Sequence, residues 1–237
     1  MLIPLKVDVP MSRGPWVNYA LMGVIVVVSI YGFYDLEFLC ELAGIEIHYT
    51  YGLGSDVSGS SLTTEHLPLP VLAVTSTLLH GGWLHLIGNM LFLWIFGNAA
   101  NYKFGHLGYI GLYLAAALAG GMVHYGYGGG PIVGASGAIY GVMGAFVVFF
   151  PRNDVTVFWF IWMRLGIGRI SSIWIILFWV AWDIIYLALG ANMGVAFWGH
   201  IGGFCAGLSI GLTCALVGWI KPTQDEQTLL QLIGVRR

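Results

Sequence analysis

Seven polar or ionisable side chains interrupt otherwise apolar stretches of the chain: His80, His85, Asn89, His124, Ser136, Asp183 and His200. Ser136 lies in 134-GASGAIYG-141, where small neighbours leave room beside its hydroxyl. A serine becomes a nucleophile only when a base within hydrogen-bond reach takes its proton, and a histidine, with an ordinary pKa of about 6.5, is suited to that task. Acyl transfer also needs fixed donors for the developing oxyanion, each worth about 10²–10³ in rate. Ser136 as nucleophile, His200 as general base and acid, and Asn89, His85 and the Ser136 backbone N–H as oxyanion donors would make such a site. Two other readings use the same residues. Gly-Ala-Ser-Gly is also a packing notch between membrane helices. Three histidines in one layer also suit a metal or a proton path, although His80 and His85 stand about 140° apart on a helical wheel.

The elements that must position these residues are membrane helices. Of 237 residues, 58% are hydrophobic and 8% charged, against about 25% charged in soluble domains. The net charge of −2 and the lack of a basic cluster give no support to nucleic-acid binding. One crossing takes about 20 residues, and six runs qualify: 16–34, 71–96, 107–125, 135–150, 170–189 and 196–220. The piece 155-VTVFWFIWM-163 is too short to span and is expected as an interfacial or buried approach to the fifth run. The expected fold is therefore all-α, a polytopic bundle of six transmembrane helices. Residues 1–14 and 221–237 are expected as cytoplasmic tails around a domain over 15–220, with an outer loop at 35–70. No cleavage pattern follows the first run, which should stay as a span. Cys40, Cys205 and Cys214 make no disulfide framework.

Orientation follows from the flanking cations. Lys6, Arg13, Lys103, Arg152, Arg164, Arg169, Lys221, Arg236 and Arg237 all fall on one side of this topology. The opposite loops hold no Lys or Arg, and 35–70 holds six acidic residues. Positive charge collects on the cytoplasmic side, so both termini are expected inside. Ser136 then opens the fourth run at its outer end, and His200 lies roughly 8 Å into the sixth at 1.5 Å per residue. His85 and Asn89, four apart on one helical face, are expected deeper in a longer helix.

Glycines supply the means of approach. The sixth run carries Gly199, Gly203, Gly207 and Gly211, and the fourth carries Gly137, Gly141 and Gly144. Each costs about 1 kcal/mol of helix propensity relative to alanine, offset where two backbones pack closely. Packing these faces together would set Ser136 beside His200.

With 85-HLIGN-89, 134-GASG-137 and 199-GHIGGFCAG-207 in that order, the chain resembles the rhomboid family of intramembrane serine proteases, in its minimal six-helix bacterial-type form. The resemblance covers nearly everything after residue 14. It implies Ser136 as nucleophile and His200 as base, in a dyad without a third acid, with His85 and Asn89 at the oxyanion hole. It further implies supporting roles for His80, for Tyr140 stacked on the catalytic histidine, and for Gly134, Gly137, Gly199 and Gly203. A Trp-Arg pair common in the family's outer loop is absent, and Asn101 stands where the family often has Glu. Asp183 is read as a structural hydrogen-bonded residue facing the bundle, with a triad acid as the alternative, and His124 as interfacial. The implied activity is endoproteolysis of single-span membrane proteins at the outer end of their helices. No cofactor or metal is implied, and the partners are those substrates and membrane lipid. The implied location is a bacterial inner (plasma) membrane. A silent relative that escorts membrane proteins is the third reading; the intact Ser136/His200 pair argues against it.

Overall fold

The computed structural model describes residues 2–35, 38, 46–48, 61–63, 68–127, 130, 132–190, 194–223 and 226–235. Most of the expected outer loop, together with Cys40, Arg236 and Arg237, lies outside the described residues. Helices dominate. α1 (Trp16–Tyr34) is followed by a short α2 (Leu69–Thr75), which tightens into a 3₁₀ turn ending at Leu78. α3 (Trp83–Phe92) passes through a π-helical turn (Leu93–Gly97) into α4 (Asn98–Gly126). Then come α5 (Ser136–Phe149), α6 (Ser172–Ala188), α7 (Phe197–Val217) and a one-turn α8 (Leu229–Leu232).

Among the described residues three helical stretches are long and apolar enough to cross a membrane: Trp16–Tyr34, Trp83–Gly126 and Phe197–Val217. The middle one has 44 residues and would measure about 66 Å if straight, about twice the hydrocarbon thickness. It does not run straight. Gly105, at φ 73° and ψ 172°, breaks the helical geometry, a conformation open to a residue without Cβ. α5 sits at the centre, with every residue from Ala138 to Phe149 buried.

The run 71–96 is not the single helix expected from its hydropathy. The chain leaves helical geometry at Leu79 (φ −109°, ψ 151°) and restarts at Trp83 after Gly81 and Gly82. A glycine pair removes the side chains that would sustain a helix, and hydropathy does not register that. The π-helical turn further along frees a carbonyl, and α1 answers it. Asn18, fully buried, donates from Nδ2 to the Leu93 carbonyl (2.9 Å) and to Asn98 Oδ1 (2.8 Å), and accepts from the Tyr109 hydroxyl. Its own backbone N–H, one of the unpaired amides of the first turn of α1, donates to Asn101 Oδ1 (3.3 Å). Asn101 thus ties α1 to α4.

Nor is the fold all-α. β1 (Leu2–Val7), β4 (Asp154–Ile161) and β5 (Arg164–Ser171) form an antiparallel sheet in the order β1-β4-β5. Phe158 faces Ile3 on one side and Ile167 on the other. The run 155–161 is β-branched and aromatic, and Val155 and Val157 are fully buried, the alternation of a strand with one covered face. Its backbone needs partners, and one of them comes from the far end of the chain, where sequence inspection had no reason to look. A two-residue turn at Trp162 and Met163, both at positive φ, closes the hairpin in the sense that suits strand twist. Ile170 therefore belongs to β5, and the fifth apolar helix starts at Ser172. The expected tails are also structured. Residues 2–7 are the edge strand, α8 starts in a Thr228/Gln231 capping box, and Glu226 pairs with Lys103. Glu46–His48 (β2) and Ser61–Thr63 (β3) of the outer loop pair as a second, two-stranded sheet.

Candidate active site

The helix starts define the site. Ser136 is the first residue of α5, His200 the fourth of α7, and His85 and Asn89 the third and seventh of α3. Because α3 begins only at Trp83, His85 is not deep in a long helix as expected; it lies in the first turn, at the same end as Ser136 and His200.

The glycine faces meet. A Cβ on Gly203 would stand 1.9 Å from the Gly137 carbonyl oxygen, and one on Gly207 1.8 Å from that of Gly141. No side chain fits at either position, so α5 and α7 pack backbone to backbone. Gly199 differs: a Cβ there would make only ordinary contacts, and it is its carbonyl that crowds Gly120 and Gly137. Gly120 brings α4 into the same junction, which sequence reasoning missed although 120-GG-121 was visible.

This packing places His200 Nε2 2.7 Å from Ser136 Oγ. His200 Nδ1 lies 2.7 Å from Asp183 Oδ2. Asp183, read from the sequence as structural, thus completes a Ser136–His200–Asp183 chain; the constellation has three members where the resemblance implied two. A carboxylate beside Nδ1 favours the tautomer with its proton there, which leaves Nε2 as the acceptor for the serine proton. Tyr140, one turn after Ser136, stacks on the imidazole with centroids 4.3 Å apart and planes 10° from parallel. Phe197 meets the same ring edge-on at 6.4 Å.

The candidate oxyanion donors His85 and Asn89 gather beside Gly134, two residues before the serine. Asn89 is buried, yet its Nδ2 has no hydrogen-bond partner, a costly state for a buried donor. The Ser136 N–H belongs to the unpaired first turn of α5, an anion-favouring position. Gly134 brings these parts together. Its φ of 127° suits glycine, and a Cβ would fall 2.6 Å from His85 Cε1 and 2.8 Å from His85 Nε2. Its N–H donates to the Ser76 carbonyl (2.8 Å), fixing the loop before Ser136.

His85 is exposed and His80 fully buried. The break before Trp83 takes His80 off the helix, so the wheel angle does not apply; the two rings meet edge to face at 5.0 Å. Ser29 donates to the Leu78 carbonyl (2.8 Å) and so accepts from His80 Nδ1 (2.9 Å). His80 thereby secures the start of α3 to α1. His124, at the end of α4, is bonded through Nε2 to the Gly130 carbonyl (2.9 Å) and holds the loop leading to Gly134.

Known proteins are similar to this chain in sequence. The family model for the rhomboid domain matches residues 71–216. RHOMBOID-like protein 5 of Arabidopsis thaliana is 31% identical over 150 residues, 61% of this chain and 45% of that protein. Rhomboid protein 1, mitochondrial, of Saccharomyces cerevisiae is 32% identical over 106 residues, 42% of this chain and 31% of that protein. Rhomboid protease GlpG of Salmonella choleraesuis is 27% identical over 143 residues, 60% of this chain and 46% of that protein. The chain thus spans less than half the length of each of these relatives. The domain match contains Ser136, His200, Asp183, His85 and Asn89 and extends over more than half the chain, so this protein belongs to the rhomboid family.

Proposed function

We propose that the protein is an intramembrane serine endopeptidase that cuts single-span membrane proteins at the outer end of their helices. The observation that carries this reading is the unbroken bond chain from Ser136 Oγ through His200 to Asp183, with 2.7 Å at each step. Ser136 Oγ attacks the scissile carbonyl carbon while His200 Nε2 takes its proton. Asp183 holds the ring in register and stabilises the imidazolium. The oxyanion is held by Asn89 Nδ2, His85 and the Ser136 N–H. Collapse of the intermediate breaks the C–N bond, and His200 returns its proton to the leaving amine. Water then attacks the acyl carbon and gives a proton to His200 Nε2, which passes it to Ser136 Oγ as the C–O bond breaks and the carboxylic acid leaves. Gly134, Gly137, Gly199 and Gly203 serve this site by close approach, and His80 and Tyr140 by holding His85 and His200.

The membrane arrangement in this proposal has six spans: α1, the two legs of Trp83–Gly126 on either side of Gly105, α5, α6 and α7. Both termini are cytoplasmic, in a bacterial inner membrane, and the site opens outward. The clustering of Lys and Arg at the end opposite Ser136 supports that orientation. Backbone in a stable helix is shielded from attack, so preferred substrates should carry Gly or Pro near the cut.

The test is cleavage of a fluorogenic single-span substrate by purified protein, beside Ser136→Ala and His200→Ala, with and without EDTA. Each variant should lose activity by about 10⁴-fold or more, and EDTA should change nothing. Cleavage by Ser136→Ala at the wild-type rate would remove that serine from the mechanism. Loss of cleavage in EDTA alone would favour a metal site.

A further inference from the structure

At the end of the bundle remote from Ser136, three segments converge on a cavity of about 410 Å³. They are Ser12–Arg13 ahead of α1, Tyr102–Phe104 ahead of the bend at Gly105, and 219–223 after α7. The cavity brings together Arg13, Lys103 and Lys221, with the hydroxyls of Ser12 and Thr223 and the indole of Trp219.

Its charge is unbalanced. Lys103 is paired with Glu226. Among the described residues neither Arg13 nor Lys221 pairs with a carboxylate. Among the described residues, three cations and one carboxylate meet here, an excess of two positive charges. The cations are also positioned in advance. Arg13 donates from Nε (3.2 Å) and Nη2 to the Tyr102 carbonyl and lies 5.7 Å over the Tyr102 ring. That uses two of its five N–H donors and leaves three. Lys103 donates to the Lys221 carbonyl (3.0 Å), which ties the chain after α7 to the chain before the Gly105 bend. Trp219, 77% exposed, marks the rim beside the apolar end of α7, the kind of ring that settles at headgroup level.

We propose that this pocket binds the phosphate of an anionic phospholipid of the inner leaflet, with the phosphodiester between Arg13 and Lys221 and the acyl chains on the Trp219 side. Basic pockets at the cytoplasmic ends of membrane helices take such headgroups. A glycerol headgroup adds no cation to its phosphodiester and complements the site. A choline headgroup carries its own positive charge into a region that already holds an excess. The placement in the inner leaflet rests on the orientation proposed above; the binding does not rest on protease activity.

The experiment titrates purified full-length protein in detergent with phosphatidylglycerol or phosphatidylcholine of matched chains, reading bound lipid by intact-protein mass spectrometry. Wild type should retain phosphatidylglycerol in preference to phosphatidylcholine. Lys221→Gln should weaken phosphatidylglycerol about fivefold, the worth of one cation near a lipid surface, while Lys221→Arg retains it. Arg164→Gln, which removes a charge from the hairpin, should leave binding unchanged. Equal retention of the two lipids would overturn the proposal, as would equal weakening by Arg164→Gln, which would mean unspecific surface charge. Inorganic phosphate at the same concentration should not displace the lipid; if it does, the site takes free phosphate and the lipid assignment falls. Thermal midpoints of both Lys221 variants in lipid-free detergent should match wild type. If Lys221→Gln alone unfolds, the outcome passes to Thr223→Val, which should reduce phosphatidylglycerol retention; unchanged retention would again overturn the proposal.

Discussion

The nucleophile and the base are held in a different way from the acid. Ser136 and His200 sit on α5 and α7, whose backbones touch where Gly203 and Gly207 have no room for a Cβ. Asp183 sits on α6, where it is the only buried residue between Leu177 and Ala188. Around it the helix shows Trp182, Ile184 and Ile185 to the outside. α6 is otherwise held by side chains, with Ile175 and Ile176 in the core, the Ser172 hydroxyl donating to the Phe150 carbonyl, Trp179 edge-on to Phe92 at 5.4 Å and Tyr186 stacked on Phe197 at 5.9 Å. One half of the site is therefore set by close backbone contact, and the other by a hydrogen bond from a helix that packs through its side chains.

The largest expected effect tests the rigid half. Gly207→Leu forces a side chain against the Gly141 carbonyl and should leave little folded protein, a cost of about 3 kcal/mol or more. A thermal midpoint in detergent within a few degrees of wild type would show that the α5–α7 contact is not rigid. The next effect probes the α6 half. Asp183→Asn should lower kcat by about 10²-fold or more while KM and the thermal midpoint stay near wild type, because it disturbs the His200 tautomer and not the packing. A variant within twofold of wild type would return Asp183 to a purely structural role. Asn89→Ala removes a donor that a third helix, α3, brings to the rigid half and should cost about 10²-fold in kcat. Single-turnover kinetics should place that loss in the chemical step, and a change confined to KM would argue against an oxyanion role. The smallest effect belongs to the exposed face of α6. Ile184→Ala, next to the acid but turned outward, should change stability by about 0.5 kcal/mol or less and kcat by less than twofold; a larger loss would mean that α6 is held by its outer face.

Much of this was legible from residue types. Glycine at four-residue spacing has one physical use in an apolar helix, so the α5–α7 contact could be read, and with it the approach of Ser136 to His200. Asp183 was not assignable, because an aspartate in an apolar run must find a partner and sequence alone does not say which. The helical break before Trp83 was hidden inside a hydrophobic run, and it shifts His85 to the helix start. β1 was missed because it pairs with β4 some 150 positions away, and the local β4–β5 hairpin because its turn, Trp162-Met163, carries none of the Asn or Gly that usually marks one.

The sequence by itself determined that the chain is a membrane protein and narrowed the candidate site to a few polar side chains, because an ionisable group within an apolar span is kept for a partner or a function. Only the tertiary structure decided that Asp183 meets His200, that the Asn89 Nδ2 is left without a partner, and that Arg13, Lys103 and Lys221 share a cavity. Each of those outcomes depends on where separate helices end relative to one another. Helix ends are set by packing between elements far apart in the chain, and no single segment encodes that.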